Sequence, residues 1–236
     1  DLVVGHPPLE PNGHFSTPDR ELIARRKGSW RASKGHSGYR PPVPRYRVTP
    51  WILLLGGIFG LLAAFQLTLE KFAIVADPDY SPGCDINPVL ACGSVIVTEQ
   101  AEAFGFPNPI IGLVSFSVVI TIAVLLIAKV ELPRWVWLGL NVGSLFGFGF
   151  VIWLIYQSLY VIGALCPWCM VAWAATIPVF WLVTADNAAS GRFSGSSGPG
   201  VVAQTVASLR WVLVGSTFLI VLALIFIRWM DFWLGA

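Results

Sequence analysis

Apolar positions in this chain gather into long runs with few charges, and the polar residues collect between them. One helix needs about 20 apolar residues to cross a bilayer's hydrocarbon layer, so each run reads as a span. Residues 48–69 form the first and 109–128 the second. The stretch from Trp135 to Ala185 is too long for one helix and is broken at Gly163–Pro167, which gives spans at 135–160 and 166–185 joined by a tight turn. A fifth covers 207–230. The pattern therefore predicts an all-α integral membrane protein with five spans.

Between the runs, charge sets an orientation. The tail, residues 1–47, carries nine of the fifteen Lys and Arg residues and is rich in Pro, Gly, His and Ser without a sustained period. It reads as disordered, cytoplasmic and close to anionic headgroups, with one helical turn at Glu21–Arg26. The segment from Glu70 to Glu102 has Lys71 as its only cation against six acids, which suits the outer side. Lys129, Arg134, Arg192 and Arg210 return to the cytoplasm, and residues 231–236 end outside. Residues 187–206, with Ser-Gly-Ser-Ser-Gly-Pro-Gly at 194–200, read as a flexible linker. No cleavable signal peptide precedes the first span, which is expected to act as an uncleaved anchor. Composition agrees with the class: 56% hydrophobic and 12% charged residues, with a mean hydropathy of +0.71, exclude an ordinary soluble domain. Nothing points to nucleic acid.

The candidate chemistry lies in four cysteines. Cys84 and Cys92 flank a polar loop, Cys166 and Cys169 frame Cys-Pro-Trp-Cys at the turn between the third and fourth spans, and the orientation puts both pairs outside. Cysteines in an oxidising compartment form disulfides, and an even number leaves none over. Two cysteines three apart at a helix start share a face, and Pro167 suits the first turn, where its missing N–H costs nothing. Free amides and the helix dipole there favour a thiolate, the reactive form. Asn87-Pro88 supplies a turn that can bring Cys84 to Cys92. Ser94–Phe104 mixes apolar and polar residues as a short interfacial helix would, capping the bundle. A static pair of disulfides stapling a membrane scaffold is the bland alternative.

Other redox and transport classes lack their ligands. The three histidines, His6, His14 and His36, all lie in the tail, so neither a metal site near the cysteines nor a haem held inside the bundle is expected. The spans as drawn contain no ionisable relay for a coupled transporter. A membrane-dissolved quinone, which needs apolar walls and one or two hydrogen-bond donors, is the natural electron acceptor.

Cys-Asp-Ile-Asn-Pro-Val-Leu-Ala-Cys at 84–92, Gly-Phe-Pro-Asn-Pro-Ile-Ile-Gly at 105–112 and Gly-Ala-Leu-Cys-Pro-Trp-Cys at 163–169 resemble the vitamin K epoxide reductase family, over roughly Trp51 to Thr184. The likeness is greatest to bacterial, disulfide-forming members of the actinobacterial type. DsbB-type oxidases are similar in logic but carry their two pairs in the reverse order. The resemblance implies a four-helix bundle at 48–186 around a quinone site, with a peripheral fifth helix and an outer cap. It implies resting disulfides Cys84–Cys92 and Cys166–Cys169 and a transient Cys92–Cys166 bond. In that scheme Cys84 meets a soluble thiol partner, Cys92 exchanges with Cys166, and Cys169 reduces the quinone. Asn108 matches the family's quinone-contacting asparagine, although Asn before Pro is also an ordinary helix N-cap. Trp173 stands where vertebrate members place a quinone-contacting tyrosine, a departure that bears on the epoxide as substrate. The chain ends at Ala236 without the thioredoxin-like domain fused to some bacterial members, so the expected donor is a separate DsbA-like protein and the expected acceptor menaquinone. The alternative within the family is a quinone or epoxide reductase that mainly supplies reduced quinone.

Overall fold

The computed structural model describes residues 48–77, 79–194 and 200–234; the expectations made for the tail lie outside these. The described residues form helices and connecting turns. Five helices are long and apolar enough to cross a membrane: α1 (Thr49–Ala76), α3 (Pro109–Ile127), α4 (Arg134–Tyr156, continuing as a π-helical segment Gln157–Ile162), α5 (Pro167–Ala189) and α7 (Arg210–Arg228). Short elements complete the chain: α2 (Cys92–Ile96), a 3-10 helix (Glu99–Glu102), α6 (Val201–Ser208) and α8 (Met230–Leu234).

Local sequence explains the boundaries. Pro50, Pro109 and Pro167 each stand in a first turn, where a missing N–H breaks no helical bond. Gly163 ends the π-helical segment at φ +74°, a conformation that glycine adopts without a Cβ clash. Hydroxyls inside the helices bond back to their own backbone, as Thr68 to the Ala64 carbonyl and Thr176 to that of Ala172.

The helices differ from the drawn spans at several ends. α1 runs to Ala76 rather than 69 and so includes Glu70 and Lys71; α5 runs to Ala189 and includes Asp186 and Asn187. The helices thus carry ionisable residues near their ends, where apolar-run counting stops at the first charge but backbone hydrogen bonding continues. Asp186 is buried near the end opposite the cysteines, beside Asn187, whose amide donates to the Trp137 carbonyl. Residues 201–206, expected as linker, are helical as part of α6, and the fifth span, expected over 207–230, is interrupted at Leu209.

α1 and α5 pack together at the centre, α3 packs on α1, and α4 packs on α5. Gly57 and Gly60 let α3 approach closely: a Cβ at Gly57 would meet Ile120, and one at Gly60 would collide with the Phe116 ring. Close backbone approach at small residues is the usual device for helix association where lipid is as apolar as the side chains. α7 lies against α5, and Trp181 donates to Thr217 across that contact. The arc α3–α1–α5–α4 leaves a seam between its two ends. Because the helices alternate in direction, the end of α1, the start of α3, the end of α4 and the start of α5 share one end of the bundle.

Candidate active site

That shared end holds all four cysteines. Asn87 shapes the loop between the first two, its Oδ1 accepting from the backbone N–H groups of Val89 and Leu90. The Ile86 N–H then donates to the Leu90 carbonyl, and Cys84 and Cys92 meet in a disulfide with their Cα atoms 5.6 Å apart. The loop is tied to the turn before α5 by an isolated parallel bridge. Leu165 N–H donates to the Val89 carbonyl at 2.7 Å, and Ala91 N–H donates to the Leu165 carbonyl at 2.9 Å. These two bonds fix the residues next to Cys92 and Cys166, and the sulfurs follow: Cys166 Sγ lies 3.3 Å from Cys92 Sγ.

Cys84 and Cys92 are bonded to each other, whereas Cys166 and Cys169 are free. Cys92 and Cys166 are fully buried, in a cluster with Leu67, Val95, Ile96 and Ala164. Cys166 is the N-cap of α5 and accepts from the Cys169 backbone N–H at 3.4 Å. The Cys169 thiol's hydrogen bond holds the Cys166 thiol below the ordinary cysteine range, the Cys169 and Trp168 amides add to this, and burial opposes it. A sulfur that ionises readily beside a disulfide sulfur is set up for exchange.

Cys169 faces the other way, into an apolar cavity of about 570 Å³ in the seam between α3 and α4. Trp173, Asn108 and Phe116 also line it, and Val95, Ile96, Thr98, Gln100 and Ala101 roof it. The cavity continues down to Trp135 and Val136 at the start of α4, about 30 Å away at the helical rise. Gly139 and Gly143 face its wall with open space where a Cβ would stand. The phenyl ring of Phe104, on the cap, spans to Phe150 of α4, with centroids 5.4 Å apart.

The cap is two short helices rather than one. Lys71 Nζ bridges Glu102 at 2.8 Å and donates to the Ile96 carbonyl, tying both to α1. Asn108 stands at the N-cap position of α3, but its side chain makes no capping hydrogen bond. Its Nδ2 donates to the Gln100 carbonyl at 2.6 Å and its Oδ1 accepts from Ala103 N–H, so its amide braces the roof beside the cavity. Trp173 is buried against Val89, Leu165 and Trp229 as well as lining the cavity.

Sequence reasoning missed Lys71, the Leu165 bridge and the α7 contacts. Lys71 had a signal, as the only cation in an acidic stretch. The bridge had none, because backbone pairing between two irregular loops leaves no residue pattern.

None of the curated proteins compared with the chain matches it. The model of the vitamin K epoxide reductase family matches residues 51–184, more than half of the chain and the whole of the cysteine and cavity region. The chain belongs to the vitamin K epoxide reductase family, membrane oxidoreductases that join thiol–disulfide exchange to a quinone.

Proposed function

We propose that this protein oxidises an extracytoplasmic thiol protein and delivers the two electrons to menaquinone, supporting disulfide formation in exported proteins. The observation that carries the reading is the continuity from the Cys84–Cys92 disulfide, through the 3.3 Å sulfur contact, to Cys169 in the wall of the apolar cavity.

A dithiol partner, DsbA-like and of thioredoxin fold, attacks Cys84, leaves as a disulfide and reduces the loop pair. The Cys92 thiolate attacks Cys166 of an oxidised Cys166–Cys169 pair; the Cys92–Cys166 bond forms and Cys169 leaves as thiolate. Cys84 then attacks Cys92, restoring Cys84–Cys92 and freeing Cys166. The reduced Cys166–Cys169 pair gives two electrons and two protons to the quinone, forming hydroquinone and the Cys166–Cys169 disulfide.

The site suits a long-tailed quinone. A ring beside Cys169 and Trp173 has apolar walls, and the seam opens toward lipid along α3 and α4, where a polyprenyl chain needs no polar partner. Asn108, its amide braced by the cap, is the proposed polar contact for a quinone carbonyl. The positive-inside bias supports an outward-facing cysteine end, and the proposed membrane is the plasma membrane.

Purified protein in lipid nanodiscs, given menaquinone and a reduced thioredoxin-fold donor, should reduce the quinone with wild-type cysteines. Cys169→Ser should lower the rate at least a hundredfold, because it removes the sulfur facing the cavity. A Cys169→Ser protein reducing menaquinone at the wild-type rate would end this reading.

A further inference from the structure

Arg228 is the last residue of α7, at the cysteine end of a helix that is otherwise apolar after Arg210. An arginine at a helix end can reach toward the interface, but this one turns its guanidinium to partners inside the protein. They lie within the redox half of the molecule. Its Nε donates to the carbonyl of Leu159 at 2.8 Å, and its guanidinium lies 5.5 Å from the Trp229 ring and reaches the edge of Gly163. Leu159 is fully buried within the π-helical segment. A π-helical turn breaks the regular ladder and leaves carbonyls open to an outside donor, and a cation there also opposes the negative end of the helix dipole. Val221, Ile225 and Trp229 pack in one cluster with Val89, Leu159, Leu165 and Trp173. α7 therefore shares a packed cluster with the loop that carries Cys92 and the turn that carries Cys166.

We infer that Arg228 is a positioning residue for exchange between the two cysteine pairs, acting from the fifth helix on the turn 163–166. The inference rests on the relay proposed above. Arg228 touches neither sulfur. It pins the Leu159 carbonyl, which fixes where the π-helical segment ends and the Gly163 turn begins. Two residues after Gly163, Leu165 makes its two bonds to the Cys92 loop, so a drift of the turn would open the 3.3 Å sulfur contact. Exchange requires in-line approach of one sulfur to another, which makes it sensitive to small displacements.

The test reads sulfur exchange directly. In full-length Cys169→Ala protein in nanodiscs, the Cys166 thiolate attacks Cys92 and expels Cys84 as thiolate, and alkylation of Cys84 with N-ethylmaleimide traps the product. The rate of Cys92–Cys166 formation is followed by peptide mapping with Arg228 intact and with Arg228→Ala and Arg228→Lys. The Alanine variant should be about tenfold slower, as for loss of one charge-assisted hydrogen bond, and Lys should restore much of the rate. In the background with all cysteines, the KM for menaquinone should be unchanged while kcat falls. Equal trapping rates in Arg228→Ala and its parent would overturn the inference. So would a raised KM with no rescue by Lys, which marks a general loss of packing. If the parent itself forms no Cys92–Cys166 bond, the relay reading fails, and the role of Arg228 with it.

Discussion

Cys166 combines burial with ready ionisation, two properties that usually oppose each other. Its partner Cys169 resolves the conflict: the Cys169 thiol and backbone amide both donate to Cys166 Sγ, so the thiolate is stabilised without water. The sign follows. A thiol held below its ordinary range is charged at lower pH than a free cysteine, and losing the donor moves its titration upward. Titration of the reduced pair by ultraviolet thiolate absorbance, with Cys84 and Cys92 replaced by Ser, should show a first thiolate below the ordinary cysteine range. Cys169→Ala should shift that midpoint up. A first thiolate at or above the free-cysteine range in the parent would remove this account of Cys166 reactivity. Asn108 gives a second lesson at this scale, since one amide side chain bonds two backbone groups of the cap and also lines the cavity.

At the scale of elements, the same residue type does opposite work on two helices. On α1, Gly60 is a contact point, with the Phe116 ring where a side chain would stand. On α4, Gly143 faces open space in the cavity wall. Gly60→Leu should therefore destabilise the bundle by about 1–3 kcal/mol or more through overpacking, read as a lower unfolding midpoint in detergent. Gly143→Leu should leave that midpoint nearly unchanged but raise the KM for menaquinone at least tenfold, with little effect on a quinone that lacks a tail. If Gly143→Leu treated long-tailed and tail-less quinones alike, the seam would not be the tail's path. α7, the peripheral fifth span, packs on α5, and Val221 and Ile225 join the cluster that holds Val89 and Leu165.

Taken as a whole, the molecule brings together what the chain separates by 74 residues, Cys92 and Cys166, through two backbone hydrogen bonds and the packing of five helices. The five spans were legible because helices in lipid must be long and apolar, and the turn at Gly163–Pro167 because glycine and proline punctuate. The cysteine pairs were legible as pairs. Helix ends were not, because Glu70, Lys71 and Asp186 stop an apolar run while the backbone ladder goes on. The bracing of Asn108 and the reach of Arg228 to Leu159 are tertiary contacts with no local pattern, so residue types alone could not show them. The relay's central claim is that Cys92 and Cys166 are the sulfurs that exchange. Peptide mapping of alkylated Cys169→Ala protein tests it: the account predicts Cys92 joined to Cys166 with Cys84 alkylated, and an intact Cys84–Cys92 bond with Cys166 alkylated would contradict it.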